Sequence, residues 1–258
     1  MNFKNIIVEI KEAVYLITIN RPNHLNALNN ETIIELNIAI NQAQKSNTTR
    51  CIVLTGAGEK AFVAGADIKE FVKYTKEEGE ALARRGQEQL FDLLENSAIP
   101  TIALINGYAL GGGLELAMAC HIRIATENAM LGLPEVSLGV IPGYGGTQRL
   151  THLVGKGKAI EIITTASMMT AMEAKECGLV NYTCKKEEMS DLSEKIINKI
   201  KQNSPQAISK AIQSINACLK EGVNGYEIEK KLFGECFQTK DFIEGTQAFL
   251  EKRKPNFN

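Results

Sequence analysis

Two acidic residues stand alone in long uncharged stretches. From Asn96 to Ile122 the only formal charge is Glu115, inside Leu114-Glu115-Leu116-Ala117-Met118-Ala119. From Asn128 to Gln148 it is Glu135, inside Leu133-Pro134-Glu135-Val136-Ser137-Leu138. An ionised carboxylate is costly to bury unless something offsets its charge. Apolar surroundings raise a carboxyl pKa and allow proton donation near neutral pH. Two such groups can serve one substrate as general acid and general base. The plainer reading is an ion pair between each glutamate and a nearby arginine, Arg123 or Arg149.

Glycines supply a second chemical ingredient. Gly111-Gly112-Gly113 leads from a loop into a helix, where the first backbone N–H groups have no intrahelical acceptor. Such donors can stabilise an oxyanion that develops on a carbonyl. Ala64-Gly65-Ala66-Asp67 is a second small-residue loop able to bring another N–H close to a ligand. Read alone, both could be no more than tight turns and close packing. A third glycine motif, Gly56-Ala57-Gly58-Glu59-Lys60-Ala61, matches the start of a dinucleotide-binding fingerprint. That fingerprint needs a helix to open at once, but Phe62-Val63-Ala64-Gly65-Ala66 reads as more loop. The match fails on context.

These groups need a scaffold. Ile6–Ile10 and Val14–Ile19 read as a hairpin, and Asn30–Ser46 as a helix with Asn30 at its N-cap. Cys51–Thr55 is a continuous apolar strand of the kind buried on both faces, Thr101–Ile105 a second buried strand and His121–Ala125 another strand, with Gly56–Asp67 a loop. A long charged helix is expected over Thr75–Asn96, and a short apolar one from the glycine triplet to about Cys120. Helices alternating with buried strands argue an α/β core. From Gly145 onward the pattern is mainly helical (145–154, 156–165, 171–177, 186–203, 205–222, 225–238, 241–252), with one strand at Val180–Tyr182. No Pro-, Gly- or Ser-rich linker and no repeat interrupts the chain, so one compact unit is expected.

Bulk properties narrow the function classes. The chain has 258 residues with 29 Lys+Arg against 30 Asp+Glu, a net charge of −1, which removes the case for a dedicated nucleic-acid binder. Hydrophobic residues at 44% and charged residues at 23% fit a globular chain rather than a disordered one. A chain this long folds to an accessible area of ~11,000 Å² from ~41,000 Å² unfolded, ample for a large core. No stretch approaches the ~18 apolar residues of a membrane span, so no membrane partner is expected. Met1 to Lys11 is charged and strand-like, without the apolar centre of a signal peptide. Six scattered cysteines (51, 120, 177, 184, 218, 236), with no CxxC and no Cys/His cluster, argue against structural zinc and disulfides. A reducing cytoplasm is the expected setting.

Several ordered motifs together resemble the enoyl-CoA hydratase/isomerase (crotonase) superfamily. They are Asn20-Arg21-Pro22 with Asn26-Ala27-Leu28; Ala61 through Glu70 (AFVAGADIKE); Asn106 through Glu115 (NGYALGGGLE); Leu133-Pro134-Glu135; and Ile141 through Leu150 (IPGYGGTQRL). The similarity runs over essentially the whole chain, to Phe249-Leu250-Glu251-Lys252-Arg253.

The resemblance implies a spiral of ββα turns over residues 1–195. A helical part, 196–258, would serve oligomerisation and cover the site. It further implies an acyl-CoA thioester substrate and a homotrimer or homohexamer, a dimer of trimers. By the same resemblance the backbone N–H groups of Ala66 and Gly112 form an oxyanion hole. Ala64, Ala66, Asp67 and Ile68 lie along the CoA arm, and Gly112 and Gly143 also contact substrate. Glu115 and Glu135 flank a catalytic water. No metal or redox cofactor is implied, since coenzyme A belongs to the substrate.

Relatives that isomerise, decarboxylate or dehalogenate usually lack one of the two glutamates, so the pair favours a hydratase. Enoyl-CoA isomerisation, and a catalytically silent binding protein on the same scaffold, are the alternatives. Lys252, Arg253 and Lys254 are either a CoA-phosphate contact across a subunit interface or a solvated tail. Phe233, Phe237, Phe242 and Phe249 are read as helix packing or subunit contact. His24, His121 and His152 have no partner pattern. Relatives that bind RNA carry a lysine-rich first helix, whereas Asn30–Ser46 has only Lys45.

Overall fold

The computed structural model describes residues 3–257. Met1 and Asn2, which open the charged N-terminal segment, and Asn258, which ends the helical part, lie outside the described residues. The β-branched runs β1 (Ile6–Lys11) and β2 (Val14–Ile19) form the expected antiparallel hairpin, pairing Ile6 with Ile19 and Lys11 with Val14. The helix α1 (Asn30–Lys45) follows. Its N-cap is Asn29, not Asn30: the Asn29 side chain accepts the Thr32 N–H at 2.9 Å, while Asn30 already has its place in the first turn.

From there the chain repeats a unit of two strands and helix. β3 (Cys51–Gly56) and β4 (Ala61–Val63) are followed by α2 (Lys76–Gly86), a π-helical turn at Gln87–Phe91, and α3 (Asp92–Glu95). β5 (Thr101–Ile105) and β6 (Tyr108–Leu110) are followed by α4 (Gly112–Ala119). β7 (Ile122–Thr126) and β8 (Met130–Gly132) lead to α5 (Gly146–Val154) and α6 (Lys156–Thr165). The first strand of each unit joins one sheet and the second joins another. The six-stranded sheet has the order β1-β2-β3-β5-β7-β10 and the four-stranded sheet β4-β6-β8-β9. All pairings among β2, β3, β5, β7 and β10, and among β4, β6 and β8, are parallel. This is the expected ββα spiral.

The remaining elements are β9 (Met168–Thr170), α7 (Ala171–Glu176), β10 (Tyr182–Cys184), α8 (Met189–Lys201), α9 (Pro205–Ala217), α10 (Gly225–Cys236) and α11 (Lys240–Leu250). α8 runs unbroken through residues 195 and 196. Strand β3 shows why its run is continuously apolar: Ile52 and Leu54 enter the main core, while Cys51 and Val53 enter a second cluster with Ile197 of α8.

Beyond the N-cap of α1, the structure departs from the sequence reading in four places. The segment read as loop over 56–67 contains β4, and β6, β8 and β9 are also additional strands. Each has three residues, too few to register a period of two. The long charged helix starts after its Thr75 N-cap in a capping box with Glu78, but carries the π turn. That inserted turn brings Leu90, Phe91 and Leu94 all into the core. The strand expected at Val180–Tyr182 is shifted to β10, because the ladder with β7 begins only at Tyr182. His121 stands just before β7; its Nδ1 accepts the Thr101 N–H at 3.1 Å.

Candidate active site

Helix α4 is buried along its whole length. It lies so close to β4 that a Cβ on Gly113 would come within 1.9 Å of the Val63 carbonyl oxygen. Glu115 is therefore held inside the fold, with 1% of its surface exposed. Its Oε1 accepts two backbone N–H bonds, from Tyr144 at 2.8 Å and Gly146 at 2.7 Å. A Cβ on Gly146 would stand 2.8 Å from that oxygen, so only glycine leaves room for the second bond. The ion-pair reading fails. Arg149 bonds the Tyr144 carbonyl, Asp92 and Glu95, and Arg123 bonds the Leu179, Ala117 and Cys120 carbonyls. Burial, and next the nearby Glu135 charge, push the Glu115 pKa up to about 8, against the lowering effect of the two N–H bonds.

Glu135 opens a short 3₁₀ turn, Glu135–Leu138, that ends at left-handed Gly139. Its Oε1 lies over the bare Cα of Gly111, where a Cβ would come within 2.7 Å. Gly111 also has φ +51°, a conformation that strains other residues. Oε2 of Glu135 is buried with no hydrogen-bond partner. An unpaired buried acceptor is costly and calls for a ligand or water to complete it. Burial raises this carboxyl too.

Two backbone donors stand beside the carboxylates. Leu28 pairs with the loop at Ala66: its N–H bonds the Gly65 carbonyl and its carbonyl takes the Asp67 N–H. In that parallel arrangement the Ala66 N–H faces away from Leu28. Gly112 is the first residue of α4, where the N–H has no intrahelical acceptor. A Cβ on Gly112 would lie 3.5 Å from the Ala66 nitrogen, so the two peptide groups are immediate neighbours.

These groups line one cavity of about 440 Å³. Of the residues singled out in the sequence, Ala64, Ala66, Ile68, Gly112, Glu115, Glu135 and Gly143 line it together. Asp67 does not: its carboxylate pairs with Arg21 at 3.0 Å, and that hydrogen bond holds its pKa below the usual carboxylate range. The cavity also exposes Phe71, Leu82, Ala83, Leu138, Ile141 and Tyr144, which the sequence reading did not assign to the site. Leu82 and Ala83 belong to Ala81-Leu82-Ala83, the apolar run of the otherwise charged α2, and that contrast was the available signal. The Tyr144 ring stacks on Phe91 with centroids 4.7 Å apart and fills the space left by Gly86. At the other end of the chain, Arg253 is engaged by Glu244 and Glu251.

Residues 9–258 match the sequence profile of a family described as enoyl-CoA hydratase/isomerase. The chain is 44% identical over 255 residues to the short-chain-enoyl-CoA hydratase of Clostridium acetobutylicum, covering 98% of this chain and 97% of that protein. It is 42% identical over 258 residues to the crotonyl-CoA hydratase of Syntrophomonas wolfei, covering 100% and 99%. Among solved structures, the enoyl-CoA hydratase of Bacillus anthracis superposes with a TM-score of 0.91 at 40% identity, over 98% of this chain and 99% of that one. Full-length agreement in both sequence and fold decides the assignment: the chain belongs to the enoyl-CoA hydratase/isomerase, or crotonase, family.

Proposed function

We propose that this chain catalyses the reversible addition of water to trans-2-enoyl-CoA thioesters, giving (S)-3-hydroxyacyl-CoA. The observation that carries the reading is the convergence of a buried and a half-buried carboxyl, neither paired with a cation, on one cavity beside two adjacent backbone donors. Hydration of a conjugated thioester passes through an enolate-like transition state with charge on the carbonyl oxygen. The Ala66 and Gly112 N–H groups oppose that charge; removing one such donor typically costs ~2.7–4 kcal/mol of activation free energy. Glu115 takes the proton of the water that attacks C3. Its Oε1 is saturated by Tyr144 and Gly146, so Oε2 is the oxygen that acts. Glu135 delivers a proton to C2, and in dehydration the two roles reverse.

Burial and the nearby Glu135 charge raise the Glu115 pKa, and burial raises that of Glu135, so proton exchange near neutrality is within reach of the pair. One protonated and one ionised carboxyl is the state either direction requires. Ala64, Ile68 and Gly143 border the bound thioester, and Asp67 supports the loop through Arg21 rather than by direct contact. No metal or redox cofactor enters the reaction, because acid–base chemistry and the oxyanion hole supply every step. The spiral, 1–195, carries the site; the helical part, 196–258, joins subunits into a trimer or hexamer and covers it. A reducing, cytoplasmic setting accords with six free cysteines.

The test is loss of the conjugated-thioester absorbance when crotonyl-CoA, and then longer enoyl-CoAs, meet the purified protein. Steady loss with formation of the 3-hydroxy product supports the reading. Absorbance gained from a 3-enoyl-CoA, with crotonyl-CoA untouched, would instead identify an isomerase.

A further inference from the structure

Arg149 is a buried charge that the mechanism above leaves without a task. Its guanidinium faces two ways. Toward the surface, Nη2 bonds Asp92 at 3.0 Å and Glu95 at 2.7 Å, and Nε bonds Glu95 at 3.1 Å. Toward the site, Nη1 bonds the Tyr144 carbonyl at 2.8 Å. Tyr144 is one of the two residues whose N–H groups hold Glu115 Oε1, and Gly146, the other, lies two positions on. Between them, Gly145 has φ +92°, and a Cβ there would fall 2.2 Å from Nη1. The guanidinium thus occupies the space beneath the turn that the missing side chain leaves open.

We propose that Arg149 is a positioning residue: braced by Asp92 and Glu95 of α3, it clamps the 144–146 turn so that both N–H groups stay on Glu115 Oε1 and Oε2 remains directed at the water. The proposal rests on Glu115 being the group that activates water. Without the clamp the turn relaxes, the carboxylate swings, and kcat falls while substrate binding is kept. The charged groups acting on Glu115 are Glu135 from the 3₁₀ turn and Arg149 itself; its two N–H donors come from the turn. Those donors and the Arg149 charge both lower the Glu115 pKa, so loosening them moves it further up.

The test is Arg149→Lys, which keeps the charge but loses the fork that spans both sides. The paired change Asp92→Asn with Glu95→Gln keeps Arg149 and removes its brace. In the intact protein Arg149→Lys should lower kcat for crotonyl-CoA about 10-fold or more, as small displacements of reacting groups do. KM should stay within about 3-fold, and the acidic limb of the hydration profile should move up by about half a pH unit or more. The paired variant should show the same changes at smaller size. In a Glu115→Gln background, Arg149→Lys should alter the residual turnover less than about 2-fold, because the clamp acts through Glu115.

A kcat unchanged by Arg149→Lys, or a loss that repeats in full without Glu115, would overturn the proposal. So would a loss that only follows the unfolded fraction. Normal turnover in Glu115→Gln alone would strike the underlying assignment of the base instead, whatever Arg149 does.

Discussion

Gln is nearly isosteric with Glu and keeps an oxygen for the Tyr144 and Gly146 N–H groups, so Glu115→Gln separates charge from shape. We expect Glu115→Gln and Glu135→Gln each to lower kcat by ~100-fold or more, the scale of general acid–base catalysis. Stability should move the opposite way at Glu115. Its carboxyl has a folded pKa of about 8 against an ordinary 4.5. A raised acid pKa means that the folded state holds the proton more tightly. Its contribution is thus most favourable below pH 4.5 and is lost as pH climbs toward about 8. Gln has no proton to lose. Melting of Glu115→Gln should therefore match the natural protein near pH 4.5 and exceed it near pH 8, by about 2–4 °C for each kcal/mol. A difference that does not grow with pH would refute the buried carboxylate without an ion-pair partner. Both glutamates were legible in the sequence, because a lone charge in apolar sequence is conspicuous. Their backbone partners were not, since any residue type carries an N–H and only the folded turn aims it.

Helix α4 owes its place beside the cavity to its contact with β4. Gly113 is the residue that permits that contact, so Gly113→Ala forces the helix outward by the missing clearance. Overpacking of this kind typically costs ~1–3 kcal/mol. We expect a lower melting temperature together with lost turnover, because Gly112 and Glu115 move with the helix. Melting and turnover both near normal would contradict the packing argument. The α/β alternation was readable from β3, β5 and β7, strands of five or six residues rich in β-branched side chains. The second sheet escaped because β4, β6, β8 and β9 have three residues each and draw their stability from neighbours rather than from their own pattern. Those short strands form the sheet on which α4 is seated. The N-cap at Asn29 was missed by one position, because adjacent asparagines offer the same side chain and only the backbone turn chooses.

The folded chain exposes 14,096 Å², whereas a compact monomer of its mass exposes ~11,000 Å². Much of the exposed apolar surface is on the C-terminal helices, where Phe233, Phe237, Ile243, Phe249 and Leu250 are each more than half exposed. Surface of this kind, on a chain that is otherwise well packed, fits the proposed contacts between copies. Light scattering should give three or six times 28.3 kDa, whereas a monomer at micromolar concentration would refute the oligomer. The central claim is that water is added across the double bond between the two carboxyls. Incubating crotonyl-CoA with the protein in ¹⁸O-labelled water tests it most directly. The account predicts one labelled oxygen at C3 of the 3-hydroxy product, with Glu115→Gln and Glu135→Gln each suppressing the labelling. Double-bond migration without incorporated label, or no reaction with any enoyl-CoA, would contradict it.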